Sequence, residues 1–336
     1  MKTKIILVIL VLGGLAAGLY WLQPGAGNPS KPDSVPKAVL KTVKTGMPVE
    51  MVKSAVTTPA SAAPAPAGTK LNLAEVPETV RGILDTAGDA WQRQQAVRAL
   101  SAGLTAAELA PVMEFLRERH AEDETQVGHV LKNDLMDALV AQQTPQASLA
   151  ELFTGIYQNP DQNTVIRDYA IQHLSTLSER LGESPAGWGT DQVAAQRRQI
   201  RDALWEAAAD SQSSIAGTAL IGLTRLSESD ADVDRGRLGQ SALKLAGSEA
   251  TQSAARITAL QVCARLQVTQ ALPLLAQVAE NGTDVPLRLS AIGALGLMGG
   301  RVEAGLLRRI SEAGDERLAP VAAVALRRIQ EREGRL

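Results

Sequence analysis

The sequence predicts an all-α fold, an α-solenoid of about seven helical hairpins, preceded by an N-terminal transmembrane or signal helix and a disordered linker. Three observations carry this. Apolar residues recur at helical spacing almost everywhere after Lys70, one thirteen-residue pattern returns repeatedly, and the first seventy residues have a composition that no compact core would use.

The chain opens Met1, Lys2, Thr3, Lys4 and then runs from Ile5 to Leu22 without a charge. At 1.5 Å per residue such a helix spans roughly 27 Å, enough for a hydrocarbon core. The two lysines ahead of it favour the cytoplasmic side, which sends everything after Leu22 across the membrane. Residues 1–22 therefore predict a signal anchor. The alternative is a cleaved signal peptide, because Gly14, Ala16, Ala17 and Gly18 supply small residues behind a short apolar stretch. The expected location is the bacterial inner membrane, single-pass, with the C-terminal domain in the periplasm; under the alternative the protein is soluble and periplasmic.

Residues 23–70 hold eight prolines, at 24, 29, 32, 36, 48, 59, 64 and 66, and end in "TTPASAAPAPAGTK". Too little apolar surface is present to offset the entropy of ordering, so a disordered linker is expected. Charge divides at the same boundary. Residues 1–70 carry eight lysines against Asp33 and Glu50, which leaves 26 basic and 34 acidic residues, a net charge of −8, for the rest. An acidic domain lacks the basic face on which binding to a phosphate backbone rests, so nucleic acid is not an expected partner.

From residue 71 to 336 the segments "VIRDYAIQHLSTL" (165–177), "SIAGTALIGLTRL" (214–226), "AARITALQVCARL" (254–266), "PLRLSAIGALGLM" (286–298) and "LAPVAAVALRRIQ" (318–330) share alanine at the sixth place. Those alanines are Ala170, Ala219, Ala259, Ala291 and Ala323. Two earlier copies centre on Ala96 in "WQRQQAVRAL" and Leu135 in "VLKNDLMDAL". The intervals are 39, 35, 49, 40, 32 and 32 residues, the range of helical-hairpin repeats. Between the copies lie companion helices such as "TAAELAPVMEFLRERH", where Thr105 and Glu108 have the spacing of a capping box. One hairpin cannot bury its apolar face alone, so neighbours are expected to stack into a continuous core.

The glycine-rich run "PLRLSAIGALGLMGGR" invites a phosphate-loop reading. A dinucleotide loop needs G-x-G-x-x-G after a strand and a P-loop needs Gly-Lys-Ser/Thr; this run has glycines at 293, 296, 299 and 300, and neither context. Glycines 293 and 296 lie on one side of a helix and suit close packing, and Gly299 with Gly300 suits a helix terminus. Cys263 stands alone in an apolar helical context, so it reads as a small buried residue, with no disulfide framework.

Arg167 with Ala170 and Leu174, Arg256 with Ala259, and Arg288 with Ala291 and Leu295 repeat one arrangement on the second helix of the hairpin. In this the chain resembles the HEAT-like repeat proteins, in the short form first described for phycobilisome lyases. The resemblance implies a helical solenoid that binds other proteins along a concave surface, and it implies an acidic residue pairing with the arginine, as Asp161 with Arg167 and Asp284 with Arg288. The copies at Ala216 and Pro320 lack the arginine. Iron hydroxylases among such proteins need His-Glu pairs, whereas His120, His129 and His173 are none of them followed by Glu. Base-removing members need a basic, aromatic-lined groove, which an acidic chain with 3% aromatic residues does not offer, and the chromophore lyases work in a cytoplasmic pigment setting that an exported chain contradicts.

Function is expected in the loops that break the repeat period. The 49-residue interval contains "ERLGESPAGWGTDQ", with Trp188 between glycines. The 40-residue interval contains "SESDADVDRGR", with Asp230, Asp232 and Asp234 alternating. The latter is not a calcium loop, since counting from Asp230 puts Arg235 at the sixth place and Ser241 at the twelfth, where glycine and glutamate belong. Trp188, Asp230, Asp232 and Asp234 are thus the candidate partner-binding residues. Near "RHAEDETQVGH", His120 and His129 flank Glu122, Asp123 and Glu124 without metal-ligand spacing, and read as a helix end followed by an acidic helix start. No G-x-S-x-G elbow occurs. The expectation is a membrane-tethered, exported scaffold that binds a protein of the cell envelope, without catalysis, cofactor or metal. The alternative is a metal-dependent enzyme on the same solenoid.

Overall fold

The computed structural model describes residues 71–336 apart from Ser101, 184–187, Gln212 and 335–336. The expected anchor (1–22) and linker (23–70) lie outside the described residues. Residues Leu71–Leu336 form one compact unit. Among the described residues every regular element is a helix, and no helix is long and apolar enough to cross a membrane.

Among the described residues fourteen α-helices follow one another: α1 Glu78–Leu84, α2 Ala90–Arg98, α3 Ala106–Arg117, α4 Gln126–Val140, α5 Leu149–Gln158, α6 Thr164–Gly182 and α7 Thr190–Ala207. The remainder are α8 Ile215–Leu226, α9 Arg235–Gly247, α10 Ser253–Arg265, α11 Leu272–Asn281, α12 Val285–Met298, α13 Arg301–Glu312 and α14 Ala319–Glu333. Short 3₁₀ turns, Ala121–Glu124 and Thr269–Ala271, lead into α4 and α11. The helices start where side chains can satisfy the first free N–H groups. Asp89 accepts from Gln92 N, Thr125 from Gly128 N, Asn163 from Val165 N, Asp234 from Arg237 N and Asp284 from Leu287 N. The expected capping box is formed: Thr105 Oγ1 accepts from Glu108 N at 3.3 Å and Glu108 Oε2 from Thr105 N at 2.7 Å.

Odd and even helices pair into seven hairpins. Second helices pack along one another in an unbroken series, α2 on α4, α4 on α6, and so on to α12 on α14. First helices meet their counterparts over much shorter stretches. The layer whose helices lie closer together lies on the inside of a curved stack, so the even helices form the inner layer. The core runs between the layers. Leu135 and the recurring alanines Ala170, Ala219, Ala259 and Ala291 are completely buried.

At the ends of the array the pattern changes. Ala96 on α2 is exposed. On α14 the expected register is off by one: Ala323 is exposed, while Ala322, Ala325 and Ile329 are buried. Pro320, Ala323, Arg327 and Glu331 of α14 are exposed.

The recurring arginine has a different partner from the one its family resemblance implies. Arg93 Nε donates to Ile83 O at 2.8 Å, Arg167 Nε to Tyr157 O at 2.7 Å, Arg256 Nε to Ala246 O at 3.1 Å and Arg288 Nε to Ala279 O at 3.0 Å. Each acceptor is a last-turn carbonyl of the preceding first helix. The arginine thus satisfies orphan carbonyls and places a cation at the negative end of the helix dipole. In the second hairpin Lys132 takes over, with Nζ donating to Glu118 O at 2.6 Å. Asp284 is instead occupied with capping α12 and accepting from the Ser253 hydroxyl.

The glycine run is helix packing and helix ends. A methyl group on Gly296 would lie 2.8 Å from both Cα and Cβ of Ala325 on α14, so only glycine lets the two helices meet there. Gly299 ends α12 and Gly300 starts α13, with Gly300 N donating to Glu303 Oε2 at 2.7 Å. Arg332 of α14 donates to the carbonyls of Gly296, Leu297 and Gly299, closing that terminus.

Candidate functional site

One period-breaking loop runs directly into α7, and the other is joined to it by ion pairs. Trp188 stands two residues before α7, half-buried and packed on the hydrophobic core. The acidic loop between α8 and α9 meets the same helix at Arg197 and Arg201, two to three turns into it, about 10 to 16 Å along at the helical rise. Both loops thus border one helix at separate levels.

The three aspartates divide their work. Asp230 is only 9% exposed and accepts from Arg201 at 3.1 Å, with Arg197 at 3.7 Å. Its other oxygen accepts from Asp232 N at 3.0 Å, an Asx turn that shapes the loop. Asp234 is the N-cap of α9, accepting from Arg237 N at 3.0 Å. Asp232 is 75% exposed while paired with Arg201 at 3.2 Å. Alternation in the sequence therefore reflects an Asx turn and a helix cap. Next to the loop the Arg237 guanidinium lies 4.1 Å from the centre of the Trp205 ring, a cation–π contact joining α9 to α7. That pair escaped the sequence reading, as did the arginines 197 and 201; their i, i+4 spacing on α7 is the one signal that pointed to a shared acidic partner.

The acidic stretch after α3 is also used internally. Glu122 holds Arg93 through both oxygens, at 2.5 and 2.9 Å, and Asp123 Oδ2 accepts from Lys132 at 2.7 Å. Arg93 and Lys132 lie 5.9 and 5.8 Å from the centre of the Phe115 ring, on which His120 stacks at 4.0 Å. His120 Nε2–H donates to Phe115 O at 3.0 Å. Burial lowers the pKa of Lys132, and the Asp123 carboxylate opposes that shift. Among the described residues no group of three or more His, Cys, Asp or Glu side chains is placed to hold a metal ion.

His173 is buried between α4 and α6, donating through Nε2 to Asn133 Oδ1 at 3.1 Å, and burial pushes its pKa down to about 4. Burial pushes the Cys263 thiol up to about 12, which removes the thiolate a nucleophile would need. Ser241 and Lys244 stand in Ser-x-x-Lys spacing on α9, but Lys244 is exposed and lacks the desolvated pocket such a base requires. Open grooves of about 290 and 390 Å³ run between α3 and α5 and between α5 and α7, where the outer layer is loosely packed.

No protein-family model matches the chain. No curated protein matches it either. Among solved structures, human deoxyhypusine hydroxylase in complex with glycerol is similar at 15% identity, over 77% of this chain and 97% of that one, with a TM-score of 0.32. A superposition that loose carries no argument about activity.

Proposed function

We propose that the chain is an exported, membrane-tethered scaffold of HEAT-like repeats that binds a partner protein of the cell envelope. The observation that carries this reading is the stack itself: seven hairpins give one continuous inner layer and an outer layer with open grooves, an extended surface of the kind used for protein recognition. Residues 5–22, uncharged and apolar, support the tether, and the Pro-rich stretch 23–70 supports a long reach above the membrane. The acidic balance after residue 70 favours a basic or mixed-charge protein. In this reading Trp188 and Asp232 touch the partner, and Asp230 and Asp234 hold the loop that presents Asp232.

The test uses the full-length chain as bait in membranes of its own cells. Trp188→Ala is expected to weaken capture by about ten- to a hundredfold with the helical signal intact, the range for an aromatic anchor. Asp232→Asn is expected to slow association and flatten its salt dependence. Unchanged capture in both variants moves the site to the inner helices. A stoichiometric, tightly held iron or zinc in the purified protein would overturn the scaffold in favour of a metal-dependent enzyme.

A further inference from the structure

Direct packing of the outer layer lapses beside α9. Helix α5 rests on α7 and α11 rests on α13, but among the described residues α9 hardly approaches either α7 or α11. What joins α7 to α9 is polar: Arg201 with Asp230 and Asp232, Arg197 with Asp230, and Arg237 over Trp205. On its other side α9 reaches the next hairpin through apolar contacts, Gly239 beside Val268 and Gly247 beside Leu274. Beneath, the inner helices α6, α8 and α10 pack on one another without interruption.

We infer that the α7–α9 junction is the bending joint of the array, and that the loop carrying Asp230 and Asp232 is an ionic latch that sets its angle. Bending a two-layer stack about its inner layer changes the spacing of the outer helices. It therefore concentrates beside α9, and there at the junction bridged by ion pairs and a cation–π contact rather than by apolar side chains. Helix-on-helix apolar packing resists salt, whereas ion pairs are screened, over about 8 Å at physiological ionic strength and about 3 Å at 1 M. Asp232, facing water, loses its attraction to Arg201 first; Asp230, shielded, holds longer. A cation that takes Asp232 competes with Arg201 and loosens the joint in the same way. The latch goes beyond the binding role and operates whether or not a partner is present.

Pulsed electron–electron distance measurements on the full-length chain test it. Spin labels go on cysteines replacing exposed Ala195 of α7 and Gln240 of α9, and buried Cys263 is left in place. A control pair replaces exposed Gln277 of α11 and Arg308 of α13, a junction that also carries an ion pair, Arg309 with Glu280 at 3.0 Å, but has direct helix contact as well. Raising salt from about 0.05 M to about 1 M is expected to lengthen and broaden the 195–240 distribution and leave 277–308 unchanged. Arg201→Gln should show the broad distribution already at low salt, with Asp232→Asn between. Should Arg201→Gln fail to fold, the wild-type salt series and Asp232→Asn decide alone. A 195–240 distribution indifferent to salt and to Asp232→Asn overturns the latch, and so does equal loosening of both pairs.

Discussion

At the scale of single residues, the hairpins are held by polar groups that answer specific unsatisfied partners. The arginine ladder is the clearest case. Arg256→Ala removes a charged donor from the α9 terminus and leaves the Ala246 carbonyl without it, and should cost about 2 kcal/mol in denaturant unfolding. Arg256→Lys should recover part of the loss, since Lys132 already performs the task with one Nζ. Buried His173 predicts a pH dependence. Its pKa in the folded state, about 4, is below the ordinary 6.5, so the unfolded chain binds the proton first as pH falls. Stability is therefore lost between pH 6.5 and 4 and the loss is complete below 4, approaching at most about 3 kcal/mol by linkage. His173→Gln should flatten the stability profile in that window; a variant with the same slope as the wild type would show that the imidazole is not the group responsible.

At the scale of helices, close approach rather than helix propensity decides what glycine does. Gly305 of α13 has open space around its Cα, so Gly305→Ala should stabilise by up to about 1 kcal/mol through propensity alone. Gly296→Ala gains the same propensity but drives a methyl group into the Ala325 backbone, and should destabilise by about 1 to 3 kcal/mol. Thermal unfolding of the two variants side by side separates the effects. Helix existence was legible in the sequence because apolar spacing and caps such as Thr105 with Glu108 act locally. The role of the repeated arginine was less legible. Its acceptor is a main-chain carbonyl about ten residues back, which no side-chain pattern announces, and the pairing of Asp284 with Arg288 gave way to a helix cap. The register of α14 slipped by one, Ala322, Ala325 and Ile329 facing the core in place of Ala323, a shift that the repeated alanine did not announce.

At the scale of the whole molecule, the stack of hairpins was readable from the repeat interval, and the candidate site only in part. Four residues in two irregular loops marked where the array departs from its period. The sequence could not show that Asp230 and Asp234 are consumed by Arg201, an Asx turn and the α9 cap, because those partners lie on another hairpin or in the main chain. Since each hairpin touches mainly its neighbours, damage should stay local. Lys132→Met, which strands the buried Asp123 carboxylate, should raise hydrogen exchange in α3 and α4 and leave α12 to α14 protected. The central claim, that the array works by holding a partner protein, is tested most directly by photo-crosslinking in living cells, with a photoreactive amino acid placed in turn at Trp188, at Asp232 and at exposed Arg327 on the far terminus. The account predicts one discrete heteromeric product from positions 188 and 232 and none from 327; no product from either loop position, or the same products from all three, would contradict it.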